Sequence, residues 1–292
     1  MAVLGPNRYG KAEIRVLHVD RGGQEHRVRD WNVSISLAGD MTEVHLSGAN
    51  DAVLPTDTQK NTAYALAKRL GDVEPESYAL ALAQHFVSRG STISRARVSV
   101  DSYGWTRLGP HSFARSTGEM RTTTVIHDQH LGSSVVSGLS DLVLMNTTDS
   151  EFWGFAKDEY TTLAETTDRI LATQVQAQWR FRGLEPGTTQ DTPEWERWHM
   201  SARRALIDAF VGTYSYSLQQ TLYAMGAAVL AARPEICEVR LALPNKHHFL
   251  VDLTPFGLAN RDEVYHAADR PYGLIEGHLL ADDAPDAGLA WS

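Results

Sequence analysis

The sequence has a single cysteine, no excess of positive charge and no long hydrophobic run. Cys237 alone cannot form an internal disulfide, and its isolation excludes a zinc site built on several thiolates. The 292 residues contain 27 Lys and Arg against 36 Asp and Glu, a net charge of -9, which argues against a broad nucleic-acid surface. No stretch approaches the roughly 20 apolar residues that span a bilayer. We therefore expect a protein that binds neither nucleic acid nor membrane.

The sequence also shows no recognisable targeting signal and no recognisable cofactor-binding motif. Residues 1–8 lack the apolar run behind a basic head that a secretory signal requires. The segment Leu289–Ser292 does not form the Ser-Lys-Leu type of peroxisomal address. No glycine-rich loop follows a strand in the pattern that binds phosphates or dinucleotides. These features favour a cytoplasmic location.

The pattern of hydrophobic residues predicts the same order of elements twice: two strands, two helices and two strands. The first set comprises strands at 11–19 and 25–38, helices from Thr56 and from Pro75, and strands at 92–108 and 112–128. The second set comprises strands at 139–147 and 172–182, helices at 192–211 and 214–231, and strands at 236–243 and 247–254. Such an order indicates an α+β fold in which antiparallel sheets carry helices on one face. We predict an N-terminal domain of residues 1–137 and a C-terminal domain of residues 138–292.

Five short motifs, far apart in the chain, contain residues suited to chemistry. They are Tyr9-Gly10-Lys11, Thr56-Asp57, Phe152-Trp153-Gly154-Phe155 with Arg169, Ser217-Leu218-Gln219, and Leu243-Pro244-Asn245-Lys246-His247. Each alone has an ordinary explanation, such as an exposed strand lysine, a helix cap, a core aromatic or a surface ion pair. Together and in this order they resemble the urate oxidase (uricase) family, in its bacterial type. The resemblance runs from Tyr9 to Ile275.

This resemblance implies a binding site for a flat purine anion. Phe152 would stack on the purine, and the Arg169 guanidinium would donate two parallel hydrogen bonds to its anionic edge. Gln219 would donate and accept at the same time. The backbone N–H groups of Asp57 and Leu218 would bind the purine as well. Leucine at 218, where relatives often have valine, leaves that N–H unchanged.

The resemblance also implies that O2 oxidises urate without any cofactor, to 5-hydroxyisourate and hydrogen peroxide. Lys11 and Thr56 correspond to a pair that removes a proton from bound urate, and His247 completes the proton relay. A lysine acts as a base only where burial or a nearby positive charge lowers its pKa. Asn245 would hold O2, and later the attacking water, over the face of the purine.

The fold implied by the resemblance is the tunnelling fold (T-fold), in two tandem copies per chain. Open sheet edges must be paired or covered, and the family closes sheets from several subunits into a barrel-shaped homotetramer. Active sites then lie at subunit interfaces, where Lys11 and Thr56 of one chain meet Arg169 and Gln219 of another. Two departures, Asn146 in place of a common lysine and an unusual loop at 183–195, concern the surface and the oligomer contacts.

Two other functions remain open from the sequence. His247 and His248 near Asp252 resemble metal ligands, and related T-fold enzymes of pterin metabolism use zinc, so a zinc-dependent pterin or purine hydrolase is one alternative. Adjacent residues of a strand point to opposite faces, which disfavours chelation by this pair. A purine-binding protein without turnover is the other alternative.

Overall fold

The structure, a computed structural model, describes residues 2–89, 92–183 and 194–292. The loop expected at 183–195 and the start of the helix predicted at 192–211 fall mostly outside these ranges. Among the described helices, none combines the length and the apolar character needed to cross a membrane.

One antiparallel sheet of eight strands forms the centre of the molecule. Its strands in spatial order are β1 (Tyr9–Asp20), β2 (Arg27–Gly39), β3 (Ile93–Tyr103), β6 (Met120–Asp128), β7 (Gly132–Asn146), β8 (Leu171–Phe181), β9 (Ile236–Lys246) and β12 (Gly273–Leu280). Two hairpins lie outside it, β4 (Trp105–Gly109) with β5 (Ser112–Arg115), and β10 (His248–Leu250) with β11 (Tyr265–Ala267). The α+β class with an antiparallel sheet is confirmed.

Within the described ranges, four long helices pack against this sheet and enclose the core with it. They are α2 (Thr56–Leu70), α3 (Pro75–Arg89), α4 (Trp195–Gly212) and α5 (Leu218–Ala232); a short helix α1 (Thr42–Leu46) precedes them, and a 3-10 turn spans Thr254–Phe256. The apolar stripe of α2, Ala63 with Leu66 and Ala67, is buried as its spacing predicts. Trp31 of β2 stacks on Tyr78 of α3 with ring centroids 4.6 Å apart, which joins the helical layer to the sheet.

Two glycines allow α5 to approach the edge strand β12 closely. A Cβ on Gly226 of α5 would lie 2.6 Å from the Leu279 side chain, and one on Gly277 would lie 2.7 Å from that of Leu222. Each glycine therefore accommodates a leucine of the opposite element. This interlocking fixes the distance between α5 and the last strand.

A buried ionic cluster connects the two halves of the chain. Glu76 of α3 is fully buried, and its carboxylate accepts hydrogen bonds from Arg121 (2.8 Å), Thr123 (3.2 Å) and Ser137 (2.5 Å). Arg121 also donates to Glu196 of α4. A buried charge is tolerated only when it is paired and hydrogen-bonded, and this cluster meets both requirements with groups from both halves.

In the described parts of the chain, four strands of the main sheet and two long helices lie on each side of the β6–β7 pairing. The predicted boundary between residues 137 and 138 falls inside β7, and the sheet continues across it. The division into domains 1–137 and 138–292 stays a prediction.

Several predicted elements have different limits in the structure. The strand at 92–108 is two strands, β3 and β4, because the chain turns away at Gly104; the one at 112–128 is β5 and β6. Strand β7 starts at Gly132, ahead of 139, and its first seven residues, which are three serines, two valines and two glycines, pair with β6 but show little alternation. The strand predicted at 247–254 is only β10, and β12 was not predicted because two glycines and a glutamate mask its pattern.

His199 of α4 makes folding sensitive to acid. Burial lowers its pKa well below the ordinary value, and the charges of Arg121 and Arg203 lower it further. The folded chain therefore holds this imidazole neutral, whereas the unfolded chain binds a proton there below about pH 6.5. The stability gained from neutral His199 is present above that pH and is lost as the pH falls below it, by at most about 1.4 kcal/mol per pH unit.

We expect His199→Gln to show a flatter loss of melting temperature between about pH 7 and pH 5 than the parent protein, because one proton uptake on unfolding is removed. Thermal unfolding monitored by circular dichroism at several pH values measures this. His130→Gln, which removes an exposed histidine, is the matched control and should keep the parent slope. Identical slopes for the parent and His199→Gln would contradict the assignment.

Candidate active site

Lys11 lies on the edge strand β1, at a point where the ladder with β2 is irregular. Lys11 pairs with Ile35, and the register then shifts before Ile14, with Glu13 at a φ of 56°. A Cβ on Gly10 would lie 1.8 Å from the carbonyl oxygen of Ile35, so only glycine permits this approach of the strands. Bulges of this kind re-aim side chains near strand ends, and this one sets the direction of Lys11.

The first turn of α2 is tied to the same end of β1. The N–H of Leu54, just before the helix, donates to the Tyr9 hydroxyl at 2.9 Å. Thr56 is the first helical residue after Pro55. The backbone N–H groups of Thr56 and Asp57 belong to the first turn of a helix, where no intrahelical acceptor exists, so they are available to a ligand.

Lys11 belongs to β1, the strand against which α2 packs. The Asp57 carboxylate accepts from Lys60 at 2.5 Å and from Asn61 at 2.9 Å. The hydrogen bond and the charge of Lys60 lower the pKa of Asp57, and the charge of Lys11 contributes as well. Lys11, Thr56 and Asp57 therefore form one group, the lysine cluster.

Phe152 and Arg169 form a second group on the segment between β7 and β8. Phe152 exchanges two backbone hydrogen bonds with Thr166, of 2.8 and 3.0 Å, and its ring stacks on Phe155 at 4.9 Å. The Arg169 guanidinium carbon lies 5.1 Å from the Phe152 ring centroid, and Nε donates to the Ser150 hydroxyl at 3.2 Å. Arg169 and Phe152 together form a flat, positively charged surface, because the cation lies over the aromatic ring.

The charge of Arg169 has no carboxylate partner within 4.0 Å among the described residues. Asp168, its neighbour in sequence, accepts instead from the Thr148 hydroxyl at 3.0 Å. Burial lowers the pKa of Arg169, because desolvation disfavours its charged form. A half-buried, unneutralised guanidinium is suited to an anionic ligand.

The first turn of α5 lies beside this second group. Ser217 caps the helix by accepting from the Gln220 N–H at 3.2 Å, Leu218 is buried, and Gln219 is exposed. Ser215 holds the turn against the Phe152 segment, since its N–H donates to Asp149 O (2.9 Å) and its carbonyl accepts from Glu151 N–H (2.7 Å). Phe152, Arg169, Leu218 and Gln219 are thereby brought to one place, the arginine cluster.

Asn245 and His247 lie at the same end of the sheet as Arg169. Asn245 pairs with Thr173 near the start of β8, and β8 begins two residues after Arg169. His247 follows the end of β9, with its ring centroid 5.9 Å from that of Phe249. Asn245 and His247 therefore belong with the arginine cluster.

The two clusters do not meet within one chain. Strands β2, β3, β6 and β7 lie between β1, which carries Lys11, and β8. Neighbouring strands are about 4.8 Å apart, so five spacings give about 24 Å along the sheet, beyond the reach of any pair of side chains. The structure brings together two partial sets of the predicted site residues rather than one complete set.

Sequence reasoning did not identify Ser150, which contacts Arg169 and is fully buried. Its only signal was its position two residues before Phe152. For metal binding, the described part of the chain contains no group of three or more His, Cys, Asp or Glu side chains placed to hold an ion.

Comparisons with known proteins agree with one another. The uricase family model matches residues 7–126 and 135–276. The chain is 44% identical to the uricase of Arthrobacter globiformis, over 99% of this chain and 94% of that one. It is 37% identical to the uricase of Dictyostelium discoideum, over 96% of this chain and 98% of that one.

Solved structures give the same answer. The crystal structure of Arthrobacter globiformis uricase superposes with a TM-score of 0.94 at 43% identity, covering 100% of this chain and 99% of that chain. A uricase from Bacillus fastidious, at 21% identity and a TM-score of 0.79 over 95% and 94% of the two chains, shares the fold. Because the family model and its relatives align with both halves of the sheet, the chain belongs to the uricase family of enzymes.

Proposed function

We propose that this enzyme oxidises urate with O2 and water to 5-hydroxyisourate and hydrogen peroxide, without a metal or an organic cofactor. Membership of the uricase family supports urate as the substrate. The observation that carries the proposal is the unneutralised Arg169 guanidinium over the Phe152 ring, beside the first turn of α5. Urate is a flat anion with donors and acceptors around its edge, and these groups complement it.

In the proposed complex, the purine stacks on Phe152 and Arg169 donates two hydrogen bonds to its anionic edge. Gln219 both donates and accepts at the purine edge, and the Leu218 N–H donates at the start of α5. Asp57 contributes its backbone N–H from a second chain. These contacts hold the ring in one plane and orient it for the proton transfer.

The chemistry begins with loss of a proton from bound urate. Lys11 accepts it through the Thr56 hydroxyl, and His247 completes the relay. The resulting dianion transfers two electrons to O2, which Asn245 holds over the ring, and O2 becomes hydrogen peroxide with two protons. Water then adds its hydroxyl group to C5 of the oxidised ring. One urate, one O2 and one water thus give one 5-hydroxyisourate and one hydrogen peroxide.

The proposed assembly is a barrel-shaped homotetramer of two-domain T-fold chains. Strands β1 and β12 are the edges of the sheet, and each has one side without a partner strand in the described chain. Leu17 on β1 and Leu274 and Leu280 on β12 are exposed. Pairing of these edges between chains would cover them, and it would bring the lysine cluster of one chain to the arginine cluster of another.

We expect purified enzyme to consume urate in air with formation of one peroxide per urate, and to do so unchanged after treatment with a metal chelator. Urate absorbance in the ultraviolet and a peroxide assay measure this. Loss of activity with chelator, restored by zinc, would instead favour a zinc-dependent hydrolase. Tight binding of urate without absorbance change or peroxide would indicate a binding protein.

Lys11→Met should lower kcat by about 100-fold or more, because a proton-transfer group is removed, while the Kd of a non-oxidised urate analogue stays within about threefold of the parent value. Arg169→Lys should chiefly raise KM, by about tenfold or more, because the paired hydrogen bonds are lost. Steady-state kinetics and calorimetric binding separate the two effects. Normal kcat in Lys11→Met would remove Lys11 from the mechanism.

Mixed oligomers test the shared site directly. Lys11→Met and Arg169→Gln chains should each have little activity alone, yet isolated hybrids should recover up to about half of the parental sites, because each mixed pair of chains forms one site with both residues intact and one with both replaced. Tagged chains purified by two affinity steps provide the hybrids. Hybrids no more active than the separate variants would show that each site is built from one chain.

A further inference from the structure

Ser150 is a fully buried residue with a specific contact to the proposed substrate clamp. It lies between β7 and β8, and its hydroxyl accepts a hydrogen bond from Arg169 Nε at 3.2 Å. Among the described residues, Ser150 is the one hydrogen-bond partner of the Arg169 side chain. The terminal nitrogens of Arg169, Nη1 and Nη2, have no protein acceptor among those residues.

The position of Ser150 is fixed from both sides. The carbonyl of Asp149 accepts from Ser215 N–H at 2.9 Å, and the N–H of Glu151 donates to Ser215 O at 2.7 Å, so Ser150 lies at the centre of a short parallel bridge. Ser215 is fully buried, and its hydroxyl donates to Ser217 O at 3.0 Å and accepts from Thr221 at 2.8 Å. The backbone that carries Ser150 is thus held in place relative to the first turn of α5.

A guanidinium is planar, so two constraints define its orientation. The Ser150 hydroxyl holds Nε, and the Phe152 ring lies beneath the guanidinium carbon at 5.1 Å. An arginine has several rotatable bonds, and an unrestrained one must lose that freedom when a ligand binds. In this chain Arg169 loses that rotational freedom when the protein folds, so the plane of its guanidinium is set before a ligand binds.

We infer that Ser150 is a positioning residue that sets the plane of the Arg169 guanidinium and thereby the affinity for urate; this rests on the proposed function. Ser150 does not touch the substrate. It aligns Arg169 with the Leu218 N–H and Gln219 through the bridge to Ser215. Its effect is therefore on substrate binding and is exerted entirely through Arg169.

The test is a double-mutant cycle with Ser150→Ala and Arg169→Lys in the 292-residue chain. Ser150→Ala should raise the KM for urate about tenfold, the scale of a lost hydrogen bond to a charged group, and should change kcat less than twofold. In the Arg169→Lys background the same substitution should change KM less than twofold. A non-oxidised urate analogue should show the same pattern in its Kd.

Ser137→Ala is the matched control, because it removes another buried serine hydroxyl that contacts a charged group, far from Arg169. It should leave KM unchanged even where it lowers the melting temperature. If Ser150→Ala does not fold, Ser150→Cys is tested by the same criteria. A thiol fills the site of the hydroxyl but is only a weak hydrogen-bond acceptor.

The outcomes separate the two proposals. Absence of urate turnover in the parent enzyme would defeat the proposed function. Parental turnover with an unchanged KM in Ser150→Ala, or an equal KM increase in both Arg169 backgrounds, would defeat the positioning role alone.

Discussion

The continuous antiparallel ladder is the constraint on which the rest of the structure depends. It holds eight strands in a fixed order and at a fixed spacing, with Lys11 of the lysine cluster on its first strand and the arginine cluster beside its sixth and seventh. No rearrangement of side chains can overcome a separation set by backbone hydrogen bonds. The partial character of each cluster is thus a property of the fold, and it makes the association of chains part of the chemistry that we propose.

The buried cluster around Glu76 and Arg121 explains how so extended a sheet keeps one shape. It joins α3 and β6 of the first half to β7 and α4 of the second, at the centre of the sheet. Removing one member would leave another buried charge unpaired, which is strongly destabilising. The two halves are therefore held in one orientation, and the distance between the clusters stays constant.

The sequence predicted the α+β class and the order of the main strands and helices, and the family resemblance supplied the two groups of candidate site residues. It did so where periodicity was strong, as in α2, or where a motif was distinctive, as around Phe152. It missed β12, whose stability comes from close packing against α5 at Gly226 and Gly277 rather than from its own alternation. It missed Ser150 for a similar reason, since a serine acquires its role only from the contact with Arg169 and the bridge to Ser215. Such contacts join residues that are far apart in the sequence, so no local sequence pattern predicts them.

The interlocked glycines of α5 and β12 also limit how this chain can be re-engineered. The helix that presents Leu218 and Gln219 rests directly on the edge strand, without a flexible layer between them. New chain ends introduced in the connection before β12, or a fusion that draws that strand outward, would shift the helix and with it the turn that carries Leu218 and Gln219. Attachment points for tags, polymers or surfaces are better chosen on the β4–β5 hairpin, which lies outside the main sheet and is held to β2 by the hydrogen bonds of Trp105 and Arg115 to Asp30, away from α5 and β12.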